Sequence, residues 1–226
     1  MEPILFILKI LPFLLKGVKI TLIVSFISFA IGFVLGIMAG IARLSDNRLI
    51  YSLSSTYVEI IRGTPLLVQI LFIYFGLPRL GINLDPLTAG IVALSINSGA
   101  YQAEIVRAGI QSIPRGQVEA ALSLGMKEWQ VFRYVILPQA VRNMVPALVN
   151  ELVTLIKDSS LVSVIGVAEL TRRGEYVVAW SFRPFETYLA VALIYFIICF
   201  TSSKISRYLE ERFAIPGMMR RGSRWL

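Results

Sequence analysis

From Ile20 to Ala42 the chain runs for 23 residues without a charged side chain. At 1.5 Å per residue a helix of that length covers about 34 Å, enough to cross a hydrocarbon core of about 30 Å. A cleaved signal segment has a shorter apolar region and is followed by a soluble chain. Here further apolar segments follow, so the run reads as a retained first membrane helix.

Four more segments continue the pattern. Gly63 to Pro78 and Pro86 to Ala103 are uncharged for 16 and 18 residues. Asn143 to Leu161 holds Glu151, Lys157 and Asp158, and Thr187 to Ser203 is uncharged for 17 residues. The expected spans are 18–42, 59–78, 84–104, 141–161 and 185–205. Residues 159–183 form a partly embedded loop with short helices. The expected fold is therefore all-α: a polytopic membrane protein of about five transmembrane helices. One domain covers 1–212, and 213–226 form a basic tail. Composition agrees with a bilayer as solvent: only 16% of residues are charged, against about 25% in soluble domains.

Charge and composition narrow the function. The net charge is +8, yet Lys and Arg flank apolar segments instead of forming the stripe a nucleic-acid surface needs. Histidine is absent, which removes imidazole metal sites and the commonest acid–base group. The single cysteine, Cys199, permits no intrachain disulfide. With the 104–142 loop inside, residues 43–48, that loop and the segment from Lys204 carry two, five and six Lys or Arg. These thirteen face seven on the other side, which places the N-terminus outside and the C-terminus in the cytoplasm.

The cytoplasmic loop reads EAALSLGMKEWQVFRYVILP over 119–138. Glu119, Ala120 and Ala121 open a run of strong helix formers, preceded by the turn residues Pro114 and Gly116. Gly125 follows Leu124, where a helix end takes a residue of positive φ. A second helical stretch runs from about Lys127 to Leu137, and Pro138 follows it. Small alanine side chains let another surface approach the helix backbone, which suits docking into a partner's groove. The plainer reading is an amphipathic helix lying on the membrane surface.

The spacing resembles the EAA motif of membrane subunits in binding-protein-dependent ABC importers: EAA, three residues, G, nine to eleven residues, then LP. Glu119-Ala120-Ala121, Gly125 and Leu137-Pro138 match it. RGTPLLVQ at 62–69, AYQAEIVRAGIQSIPRGQ at 100–117 and NELVTLIKDSSLVSVIG at 150–166 look like the subgroup that imports polar amino acids. Ser159 stands where that subgroup suggests Thr, a swap that keeps the hydroxyl. The resemblance covers the chain to about residue 212. It implies a type I importer transmembrane domain in which 115–138 form a coupling region and Glu119, Ala120, Ala121, Leu124 and Gly125 meet the ATP-binding subunit. It also implies the partners: two ATPase subunits, a second copy of this chain or a related permease, and an extracytoplasmic amino-acid-binding protein. The location implied is a prokaryotic cytoplasmic membrane.

The phosphate-cradling pattern G-x-x-x-x-G-K-[ST] is absent from the sequence. ATP and Mg are therefore expected on the partner ATPase, with no cofactor on this chain. Ionisable and amide groups within spans mark a cavity or a partner. Ala147, Glu151, Thr154 and Asp158 share one helical face, as do Asn97, Tyr101 and Glu104. Gln69, Asn97, Glu151, Thr154 and Asp158 are the candidate substrate ligands for a zwitterion. Plainer readings stand beside them: Glu104 pairs with Arg107, Asp158 bridges to Lys157 or Arg62, and Thr64-Pro65 starts a helix. The excess of acidic groups points to a cationic amino acid such as arginine, lysine or histidine, with glutamine or glutamate as the alternative. An ion-coupled transporter or channel is the competing class, and would call for inverted repeats. A membrane-embedded enzyme would need a nucleophile–base pair or a metal cluster.

Overall fold

The computed structural model describes residues 2–213, and among them every regular element is helical. Apart from Phe213, the basic tail expected over 213–226 lies outside the described residues. Helices fit the solvent, because an isolated segment in lipid satisfies its N–H and C=O groups internally only as a helix.

Helix α1 (Glu2–Ala42) is 41 residues long and starts well before the expected position 18. Its length exceeds a bilayer's needs, and the excess is used in packing. Ile10 and Leu14 form a core with Leu170 and Val177 of α8 (Leu170–Ser181) and with Ala190 and Val191 of α9 (Pro184–Phe213). Farther along, Gly32, Gly36 and Gly40 recur every four residues and bring α1 against α4 (Pro86–Gln111). A Cβ on Gly36 would meet Gln102 Cβ at 2.6 Å, and one on Gly40 would meet the Ala103 carbonyl at 2.8 Å. Small residues at this spacing let two membrane helices approach backbone to backbone.

Helix α4 is the centre of the bundle. It packs against α1, α2 (Arg48–Gly63) and α7 (Leu137–Asp158), and its polar residues Ser95, Asn97, Ser98 and Gln102 are buried. That explains how α4 belongs to a membrane protein without being uniformly apolar. By length and hydropathy alone, Pro3–Ala42 and Pro184–Lys204 qualify as spans, and the bent pair Arg48–Gly63 with Leu66–Leu80 qualifies as a third. Helices α4 and α7, at 26 and 22 residues, are long enough to supply the remaining two; α4 turns Ser95, Asn97, Ser98 and Gln102 into the protein, and α7 turns Glu151 toward Ser98.

The second span departs from expectation. In place of one continuous helix, the region expected to span over 59–78 consists of two arms bent by 106° from one to the next. The first arm is α2; the second is α3 (Leu66–Leu71) continued by a π-helical turn, Phe72–Gly76, and a 3₁₀ turn, Leu77–Leu80. Between α4 and α7 the chain forms α5 (Arg115–Ser123) and α6 (Glu128–Val131), then a π-helical turn, Phe132–Ile136, leading into α7. The break between α5 and α6 falls at Gly125, whose φ is +81°. Its N–H bonds the Leu122 carbonyl at 2.9 Å, and Met126 N–H closes on the Ala121 carbonyl at 3.3 Å, terminating α5.

Candidate functional site

The site begins at the break. Pro65 disfavours a helical conformation for the residue before it, and Thr64 is extended at φ −119°, ψ 146°. The last carbonyls of α2 therefore lose their intrahelical donors, a costly state inside a membrane. Side chains replace them. Thr64 Oγ1 donates to the Ile60 carbonyl at 2.9 Å, and Gln69 Nε2 donates to the carbonyls of Ile61 and Thr64 at 2.7 and 3.1 Å. Gln69 Oε1 in turn accepts a hydrogen bond from Asn97 Nδ2 at 3.0 Å. Thr64-Pro65 does start a helix, as its sequence indicates, but it also bends the span over α4.

A cavity of about 270 Å³ lies beside the break, between its corner residues and helices α4 and α7. Thr64, Pro65 and Leu66 form its wall from the break, Asn97 and Tyr101 its wall from α4, and Glu151, Thr154 and Asp158 its wall from α7. Of the five predicted substrate ligands, the fold brings four around this space. Gln69 stands behind Asn97 and fixes it. Glu151 Oε1 accepts from Ser98 Oγ at 2.7 Å, and Ser98 Oγ accepts from Gln102 Nε2 at 2.9 Å. The lining holds two carboxylates, an amide, two threonines and a phenol, and neither lysine nor arginine. It can bind a small cationic group by charge-assisted hydrogen bonds while amide and hydroxyl groups orient the rest. A larger cavity of about 470 Å³ lies between the two arms and is walled mostly by apolar residues such as Ile60, Val68 and Phe72, with Thr64 and Gln69 beside them. It offers a charged solute little to bind.

Glu104 lies one turn beyond Tyr101 on α4 and gathers three arginines. Arg43 contacts one carboxylate oxygen and Arg107 the other, the latter at 2.7 Å, while Arg62 approaches at 3.5 Å. The pairing with Arg107 is thus one part of a larger cluster. Arg62 goes to Glu104, not to Asp158, which is left on the cavity wall.

The residues of the EAA stretch lie on α5 and its end. Ala121 is buried, while Glu119, Ala120 and Gly125 are exposed and Leu124 is 84% exposed. Trp129, just beyond the turn, is also exposed. The segment is tied to the membrane helices by Gln139 Nε2 donating to Gln117 Oε1 at 2.6 Å and Asn143 Nδ2 donating to Ser112 Oγ at 2.9 Å. Sequence reasoning missed Thr64 as a wall residue, Ser98 as the partner of Glu151, and the three spaced glycines of α1. The last was readable as two overlapping G-x-x-x-G patterns; the first depends on a bend, and the second on the packing of α4 against α7, that hydropathy does not report.

Comparisons with known proteins bear on this arrangement. The family described as binding-protein-dependent transport system inner membrane component matches residues 32–215. The glutamine transport system permease protein GlnP of Escherichia coli (strain K12) is 47% identical over 207 residues, covering 91% of this chain and 94% of that protein. The arginine transport system permease protein ArtQ of Bacillus subtilis (strain 168) is 40% identical over 203 residues, covering 89% and 93%. A crystal structure of an amino acid ABC transporter with histidines superposes with a TM-score of 0.89 at 46% identity, covering 92% of this chain and 97% of that one. An all-helical bundle with an acidic cavity beside its broken span, matched over most of its length, belongs to the family of binding-protein-dependent transport system inner membrane components.

Proposed function

We propose that this chain forms the translocation pathway of an ATP-driven importer of polar amino acids, with positively charged amino acids as its preferred substrates. The single observation that supports this reading is the acidic cavity beside the break. It brings Glu151, Asp158 and Asn97 together with no lysine or arginine in its lining. The α-ammonium and a cationic side chain both find carboxylates there. The permeases named above, for glutamine and arginine, support amino acids as the solute class.

Coupling follows from chain order. Helix α5 lies between α4 and α7, and these two helices carry the facing walls of the cavity. A partner gripping Glu119, Ala120, Ala121, Leu124 and Gly125 would move both walls at once, giving alternating access. The partner is a separate ATPase subunit that holds ATP and Mg, present in two copies beside a pair of permease chains. A binding protein outside delivers the amino acid. In this reading the N-terminus lies outside and α5 faces the cytoplasm.

A second reading, glutamine as substrate, is favoured by the 47% identity to a glutamine permease. Reconstitution of the complete complex in proteoliposomes separates the two. ATP-dependent uptake of labelled L-arginine or L-lysine, outcompeting L-glutamine, is the expected result. A preference for L-glutamine replaces the cationic reading. Uptake by this chain alone under an ion gradient overturns ATP-driven import.

A further inference from the structure

We infer that Arg62 takes the α-carboxylate of the transported amino acid, exchanging Glu104 for the substrate. The inference rests on the amino acid cavity proposed above. That cavity supplies anionic groups for an ammonium but no cationic side chain for the other end of a zwitterion. The neutral donors on the wall cannot give a carboxylate a contact between opposite charges, and a cationic donor for it stands at the rim.

Arg62 stands at that rim. It is two residues before Thr64, a wall residue, and its guanidinium lies over the ring of Tyr101, 5.1 Å from the centroid. Tyr101 is itself part of the wall. Arg62 is also the most loosely held of the three arginines around Glu104. Its approach is 3.5 Å, against 2.7 Å for Arg107, and its side chain is 42% exposed, against 32% for Arg107 and 10% for Arg43.

Glu104 does not depend on it. Arg43 contacts Oε1, while Arg107 donates to Oε2 from both Nε and Nη2 at 3.1 and 2.7 Å. Releasing Arg62 leaves Glu104 paired and trades one carboxylate partner for another. The planar guanidinium fork suits a carboxylate in two-point contact, which a lysine would not reproduce. Selectivity for amino acids over amines then resides at Arg62, and selectivity among side chains resides at the acidic wall.

The test measures binding to the detergent-solubilised complex with its ATPase subunit and without the binding protein, which would add its own selectivity. The probes are L-arginine and L-glutamine, each against its α-carboxamide, which lacks only the negative charge. The unaltered complex is expected to prefer the free carboxylate by about tenfold or more, the scale of one charge-assisted contact. Arg62→Gln is expected to bring that ratio close to one by weakening the amino acid and sparing the carboxamide. An undiminished ratio in Arg62→Gln overturns the role. Should that variant fail to assemble, Arg62→Lys is expected to give an intermediate ratio, and a ratio at the unaltered level overturns the role equally. Glu151→Gln serves as the control for the cavity. If it weakens both members of a pair while Arg62→Gln keeps the ratio, only the role of Arg62 fails. If it leaves all four compounds bound at their original strength, the cavity reading fails and the inference with it.

Discussion

Asn97 on the central helix donates its side-chain amide to Gln69 on the second arm of the broken span, across 3.0 Å. Through this bond the bend at Thr64-Pro65 and the cavity wall on α4 form one hydrogen-bonded unit. Gln69 therefore orients a wall residue and caps stranded carbonyls; it does not itself line the cavity.

Gln69→Ala should remove the shortest hydrogen bond to the Ile61 carbonyl, strand the Thr64 carbonyl and free Asn97. Each buried group left unsatisfied costs about 1–3 kcal/mol. The expected outcome is a lowered melting temperature of the purified complex together with weaker substrate binding. Unchanged values of both would show that the bend holds itself without this side chain.

Glu151→Gln keeps an acceptor for Ser98 but removes the negative charge. A hydrogen bond to a charged group contributes about 1.5–3 kcal/mol, so uptake of a cationic amino acid should fall by about tenfold or more. Uptake of L-glutamine should fall less. Equal losses for both would assign Glu151 to the α-ammonium, which every amino acid carries.

Gly125 has φ +81°, and a Cβ there would meet nothing within 4 Å. The cost of Gly125→Val is therefore purely conformational, about 1–2 kcal/mol for a left-handed position and more for a β-branched residue. Assembly and substrate binding should persist while transport-coupled ATP hydrolysis falls severalfold. Fully coupled hydrolysis in this variant would remove the turn from the coupling mechanism. Leu124→Asp, changing the most exposed apolar side chain of the segment, should weaken copurification of the ATPase subunit.

Gly36→Val should be the most disruptive of these changes for stability. Its new Cβ would lie 2.6 Å from Gln102 Cβ and 3.1 Å from the Gln102 carbonyl carbon. Overpacking of this kind costs about 1–3 kcal/mol, occasionally more. Thermal denaturation of the detergent-solubilised complex should show a clear loss. Gly116→Ala, which meets nothing within 4 Å, should show none.

Uncharged runs such as Ile20–Ala42 identified the solvent, and the solvent in turn required helices, because lipid offers no partner for an open backbone group. The spacing from Glu119 through Gly125 to Leu137-Pro138 carried the family. The spacing of Glu151, Thr154 and Asp158 placed three wall residues on one face of α7, because a helix repeats every 3.6 residues wherever it sits. Those were local or averaged properties, and sequence expresses them directly. Pro65 set where the second span breaks, but tertiary structure alone decided its angle of 106° over α4, that Arg62 approaches Glu104 instead of Asp158, and that Thr64 and Tyr101 join the cavity. Those outcomes join residues about 40 to 90 positions apart, and close packing of one helix on another sets them, which neither periodicity nor hydropathy encodes.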